Sequence, residues 1–138
     1  MTPEPVPTEK TSGPGPSPYD TYASGSLRFL MELVAWLAGP WAAADLTGSG
    51  WAAIPALALL LVLPSVFSTP GDKHRVVIAT PGPVRLIIEL ILIAAAVAGA
   101  WFAWPAWLAL TTTVAALATL VTGWPRTKWL LAGAPPVD

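Results

Sequence analysis

The sequence predicts an all-α fold: an integral membrane four-helix bundle made of two repeated transmembrane hairpins. Three observations predict it. Apolar residues make up 54% of the 138-residue chain and charged residues only 11%, less than half of the roughly 25% usual in soluble domains. Four apolar runs of membrane-spanning length follow one another from Leu27 onward, separated by short breaks. A short motif at the start of the first run recurs at the start of the third.

Residues 1–26 are a different kind of polymer. They contain six Pro in the first eighteen positions and almost no bulky aliphatic side chains. Such a stretch cannot bury enough apolar area to offset its ordering entropy, so it reads as an extended, Pro-rich cytoplasmic tail. It has no basic start followed by an apolar run and is not read as a signal peptide.

The four spans fall at about 27–46, 51–67, 84–104 and 105–124. At 1.5 Å per residue, runs of this length cross a hydrocarbon core of roughly 30 Å. In lipid the backbone must satisfy its own hydrogen bonds, so each is expected to be a helix. The TGSG segment at 47–50 supplies the first turn. Pro105 follows Trp104 and suits the first turn of a new helix, where a missing N–H costs little. Pro40, Pro55 and Pro64 fall within or near the ends of the first two spans and are expected to bend them. Residues 125–138 read as a cytoplasmic C-terminal tail.

Charge sets the expected orientation. The seven basic residues are Lys10, Arg28, Lys73, Arg75, Arg85, Arg126 and Lys128. They fall near the start of the first span, around the loop between the second and third, or after the fourth. The two opposite turns contain none. The positive-inside rule then puts both termini and the 68–83 loop in the cytoplasm, as expected for a bacterial cytoplasmic (inner) membrane protein. The eight Trp agree with this frame. Trp41, Trp51, Trp101, Trp104 and Trp107 gather at the outer boundary, Trp124 and Trp129 at the inner one, and Trp36 alone is expected at mid-membrane.

The recurring motif is LRFLMEL at 27–33 and VRLIIEL at 84–90. Each copy places Arg four residues before Glu, so Arg28 with Glu32 and Arg85 with Glu89 share a helix face. Three readings apply. Each pair is a local salt bridge near the interface, with the Arg reaching to headgroups. Alternatively, Glu32 meets Arg85 and Glu89 meets Arg28 across the pseudo-axis between the repeats. A third reading makes Glu32 and Glu89 ion- or proton-responsive groups, although the outer half offers only Asp45 to continue a relay.

Other features are plainer. Ala95 with Gly99 and Ala96 with Ala100 give small residues at i and i+4, which let helices approach closely in the bundle or against a partner. Thr111, Thr112, Thr113, Thr119 and Thr122 are expected to bond to their own helix or bridge helices. His74 is expected to be a solvated loop residue. With no Cys and one His, metal ligation is not expected. No nucleophile–base pair or phosphate loop stands out, so the chain is read as neither an enzyme nor a cofactor carrier. A net charge of −1 gives no reason to expect nucleic acid as a partner.

The pattern LRFLMEL, then Phe67-x-x-Pro70, then Pro83-x-Arg85-x-x-x-Glu89-Leu90 resembles the YrdB-like family of small bacterial membrane proteins over residues 27–124. The resemblance implies four transmembrane helices and no established activity. The Ala, Gly, Pro and Trp usage also looks like that of a high-GC actinobacterium. There, respiratory supercomplexes joining a menaquinol–cytochrome c reductase to an aa3-type cytochrome c oxidase carry small accessory membrane subunits without cofactors. This chain looks like such an electron-transport accessory subunit, with the lipid bilayer and a larger membrane complex as partners. A homo-oligomeric transporter or channel, and a scaffold whose Pro-rich tail recruits a tail-binding protein, are the competing expectations.

Overall fold

The computed structural model describes residues 19–73 and 75–136. Residues 1–18, His74 and residues 137–138 lie outside them, and with them most of the predicted tail. The described chain is mostly helical, with five α-helices. They are α1 (Tyr22–Thr47), α2 (Ala53–Val66), α3 (Gly82–Ala103), α4 (Ala106–Thr122) and α5 (Trp124–Leu131).

Helix α1 begins five residues before the predicted start because Thr21 and Ser24 form a capping box. The Ser24 N–H donates to Thr21 Oγ1 at 3.1 Å, and the Thr21 N–H donates to Ser24 Oγ at 2.9 Å. These two bonds satisfy donors that an uncapped helix start leaves open. The helix stops at Gly48, whose φ of 66° ends it in the left-handed conformation. A 3-10 turn at Gly50–Ala52 then leads into α2.

Helix α2 is only 14 residues long, about 21 Å at 1.5 Å per residue. Pro55 falls in its first turn, where no intrahelical N–H is lost. Pro64 is in the helix proper and leaves the Leu60 carbonyl without its usual donor. Trp36 supplies one: its indole N–H donates to Leu60 O at 3.2 Å. The Trp expected at mid-membrane is therefore half-buried and ties α1 to α2.

Two short parallel strands, β1 (Phe67–Ser68) and β2 (Ile78–Ala79), pair Phe67 with Ile78 and Ser68 with Ala79. They close the segment between α2 and α3. Thr69 Oγ1 donates to Thr80 O at 2.8 Å, which locks its base.

Helix α1 lies at the centre and packs on α2, α3 and α4. Its closest partner is α3. A Cβ added at Gly99 would meet the Ala38 carbonyl carbon at 2.7 Å, so only Gly fits this crossing. Around it, Ala35, Ala38, Ala96 and Ala100 are fully buried. Thus Ala96, Gly99 and Ala100 of the predicted small-residue set pack inside the molecule, while Ala95 is half-buried at its edge. Met31, Ala35, Leu60, Ile88, Leu92, Ile93, Ala96 and Ala116 form the core.

Two helices, α1 and α3, are long and apolar enough to cross a membrane, and α4 with α5 qualifies as a third if the bent pair is one span. The bend at Gly123 is 59°. Here the structure corrects the sequence reading: residues 125–138 are not simply a tail. Gly123 ends α4 and Pro125 opens α5 at a position suited to a first turn.

The Trp36–Leu60 bond has a measurable signature. Trp36→Phe is expected to destabilise the fold by about 1 kcal/mol, the net worth of one hydrogen bond. In a Pro64→Ala background, where the Ala N–H serves Leu60, the same change is expected to cost clearly less. Denaturant unfolding of the four variants in one detergent measures the coupling.

Candidate functional site: a buried ionic cluster

The polar chemistry of the described chain is concentrated at one end, where α3 starts and α5 folds back. Four charged side chains meet there. Asp72 stands in the turn after β1, held by its N–H donating to Thr69 O at 3.0 Å. Arg85 and Glu89 lie one turn apart on α3, and Arg126 sits near the start of α5. Exposure is 0% for Arg85, 1% for Arg126, 5% for Asp72 and 8% for Glu89.

Arg126 organises the cluster. Its Nε and Nη2 donate to the two oxygens of Asp72, both at 2.7 Å, in a bidentate fork. Its Nη1 donates to Glu89 Oε2 at 2.6 Å. This is the strongest way a guanidinium engages carboxylates. Arg85 is held more loosely. Its Nε lies 3.5 Å from Asp72 Oδ2, near enough for attraction, yet Nε and Nη1 have no hydrogen-bond partner.

The surroundings explain why α5 reaches this position. A Cβ at Gly82 would lie 2.1 Å from the Leu130 carbonyl oxygen, so the first residue of α3 must be Gly for α5 to dock. Trp129 is 6% exposed; its indole N–H donates to Pro135 O at 3.0 Å, and its ring lies against Gly71 and Tyr19. This corrects the expectation that Trp129 is an interfacial anchor: it is part of the packing beneath α5. Trp41, Trp51, Trp101, Trp107 and Trp124 do lie on the surface, and Trp104 is half-buried.

The predicted charge pairs also need correction. Neither Arg28 with Glu32 nor Arg85 with Glu89 forms an ion pair, and neither do the crossed pairs Glu32–Arg85 and Glu89–Arg28. Arg28 instead pairs with Asp20, just before α1. The reason is directional. Helical side chains lean toward the helix N-terminus, so Arg28, Arg85 and Glu89 all reach toward the segments that precede or cover their helices. An Arg placed N-terminal to a Glu at i, i+4 is the weaker order in any case.

Neighbouring groups complete the electrostatics. Burial pushes the Asp72 carboxyl up, but the hydrogen bonds and charge of Arg126, with Arg85 and Arg28 further off, hold it below its ordinary 3.8. Burial and the charge of Arg85 push the Lys73 ammonium below its ordinary 10.5. Its Nζ donates to Pro64 O at 3.0 Å. On α4, Thr111, Thr113, Thr119 and Thr122 donate back to the carbonyl four residues earlier, as expected of helical Thr. Among the described residues no group of three or more His, Cys, Asp or Glu is placed to hold a metal ion.

Sequence reasoning missed Asp72 and Arg126. Signals for Arg126 were present in Gly123-Trp124-Pro125, a helix stop followed by a helix start. For Asp72 only its place in a turn-forming Pro-Gly-Asp run was readable. Compared with known proteins, the chain matches no family model, no curated protein and no solved structure.

Two outcomes follow for the cluster. Arg126→Gln strands two buried carboxylates and is expected to destabilise by about 3–5 kcal/mol. Arg85→Met removes a side chain without hydrogen bonds and is expected to cost much less. Chemical unfolding in detergent separates them. The acid response has a defined sign. The folded Asp72 binds its proton less readily than the unfolded one, so its contribution is complete above 3.8 and is lost as pH falls below that value. The melting temperature of the wild type is expected to drop across that window, and that of Asp72→Asn to start lower and fall less.

Proposed function

We propose that the chain is a multi-pass protein of a bacterial cytoplasmic membrane and a non-catalytic accessory subunit of a larger membrane complex. In this reading α1, α2 with its preceding 3-10 turn, α3 and α4 are four spans forming two hairpins. Both termini and the segment between α2 and α3 face the cytoplasm. The seven-to-none distribution of basic residues between the two sides supports that orientation.

The observation that carries the accessory role is a groove between α1, α2 and α3 of about 390 Å³. It is lined by Gly39, Ala43, Ala56, Ala95 and Ala98 together with Leu46, Leu59, Leu60 and Phe102. Small residues on three converging helices leave room for another helix to approach closely, which is how helices associate in lipid. The polar groups at the opposite end are engaged in holding the chain together: Arg126 spends its donors on Asp72 and Glu89. The complex we favour is an actinobacterial respiratory supercomplex, on the side of the aa3-type oxidase. The composition of the chain and its YrdB-like motif residues support a small membrane subunit without cofactors of its own.

The test is extraction in a mild detergent followed by native electrophoresis with in-gel haem staining. The chain is expected to migrate with a larger haem-containing assembly. Ala98→Phe, which fills the groove from its exposed side, is expected to release it while leaving its melting temperature unchanged. Migration of the wild type only as a monomer or small homo-oligomer overturns the proposal.

A further inference from the structure

The end of the molecule that holds the ionic cluster also exposes apolar side chains outside the four longer helices. Val76, Val77 and Ile78 follow one another in the segment leading through β2 and are 36%, 65% and 46% exposed. Arg75, just before them, is also exposed. Helix α5 is docked through Arg126 on Asp72, in the turn that precedes these residues. It turns Arg126, Trp129 and Leu130 inward, and presents Trp124, Lys128 and Leu131 outward at i, i+4 and i+7. Trp124 is 55% exposed and Leu131 54%.

The charges are sorted as well. Within 67–81 and 124–136 the only acidic residue is Asp72, and it is buried against Arg126 and Arg85. Lys73 is half-buried, with its ammonium on Pro64 O. The exposed charges of the described residues in these two segments are therefore Arg75 and Lys128, both cationic. Aliphatic and aromatic side chains standing out beside cations, with Asp72 withdrawn, complement an anionic lipid surface. Position agrees: the segments adjoin the start of α3 and the end of α4, and α5 leaves the direction of α4 by 59°. If α3 and α4 cross a bilayer, both segments sit at headgroup depth.

We propose that this end is a docking surface for anionic phospholipid headgroups. Val76, Val77 and Ile78 enter the headgroup layer beside Trp124 and Leu131, and Arg75 and Lys128 bind the lipid phosphates and anionic headgroups. The proposal rests on the membrane reading above and adds a lipid preference to it.

The chain has no Cys, so Val77→Cys gives a single nitroxide site in the full-length protein. The label's accessibility to oxygen and to a water-soluble nickel chelate is measured in phosphatidylglycerol-rich vesicles and in phosphatidylcholine vesicles. In the anionic vesicles the label is expected to be oxygen-accessible and shielded from nickel. Arg75→Gln and Lys128→Gln are each expected to lower the ratio of inserted to aqueous label about fivefold. Raised salt is expected to act in the same direction. A label equally inserted in both lipids, or aqueous in both, overturns the proposal. Leu117→Cys on the exposed face of α4 separates the two failures. A deep Leu117 label with an aqueous Val77 label overturns lipid docking alone, whereas an aqueous Leu117 label overturns the membrane reading with it.

Discussion

The fork between Arg126 and Asp72, with Glu89 as a second acceptor, joins three parts of the chain. Asp72 belongs to the segment between α2 and α3, Arg126 to α5, and Glu89, the second acceptor, to α3. Taking these charges out of water is costly, and their attraction alone only offsets that cost when the geometry is good and the remaining donors are used. Here both carboxylate oxygens of Asp72 are used and three donors of Arg126 are engaged. Such a cluster adds little to stability over a well-packed apolar replacement. What it adds is position: α5 is held at one angle to α4, and the turn at Asp72 at one place over α3.

That position breaks the symmetry of the repeat. Three positions 57 apart are buried in both copies, Met31 and Ile88, Ala35 and Leu92, and Ala42 and Gly99, while Ala38 is buried and Ala95 half-buried, and Ala100 is buried and Ala43 half-buried. At the helix starts they diverge. Arg85 is fully buried beneath the turn and α5, while Arg28 is half-buried and pairs with Asp20. The recurring motif thus serves two environments, because the second copy is covered by α5. Gly82 makes that covering possible by leaving no Cβ in the path of Leu130.

Much of the helical layout was legible because apolar runs and turn residues are local signals. The start of α4 follows from Pro105, and the end of α1 from the TGSG turn. The early start of α1 was missed because apolar patterning begins at Leu27, whereas the capping residues Thr21 and Ser24 are polar. The ion pairs were misread for a different reason. Spacing of four on a helix shows which side chains share a face. It does not show which other segment will fold over that face. Arg126 lies 54 residues from Asp72 and 37 from Glu89, and no local pattern reports a contact at such separation. Trp129 was misplaced by the same logic, since an amphipathic ring near a span suits a headgroup layer and a packed cap equally well.

The two ends of the molecule therefore use different physics. Toward Gly39 and Gly99, helices meet through hydrogen and methyl groups, and Gly99 brings the backbones of α1 and α3 as close as they can come. This contact works in lipid because it depends on dispersion rather than on expelling water. Toward Arg126 the segments are short, and charge-assisted hydrogen bonds beside the buried Trp129 and Leu130 define their arrangement. Withdrawing Asp72 and Glu89 into that network has a consequence outside it. Asp72, the one acid within 67–81 and 124–136, no longer faces outward, so the pairing that positions α5 also leaves Arg75 and Lys128 as the exposed charges of the described residues in those segments.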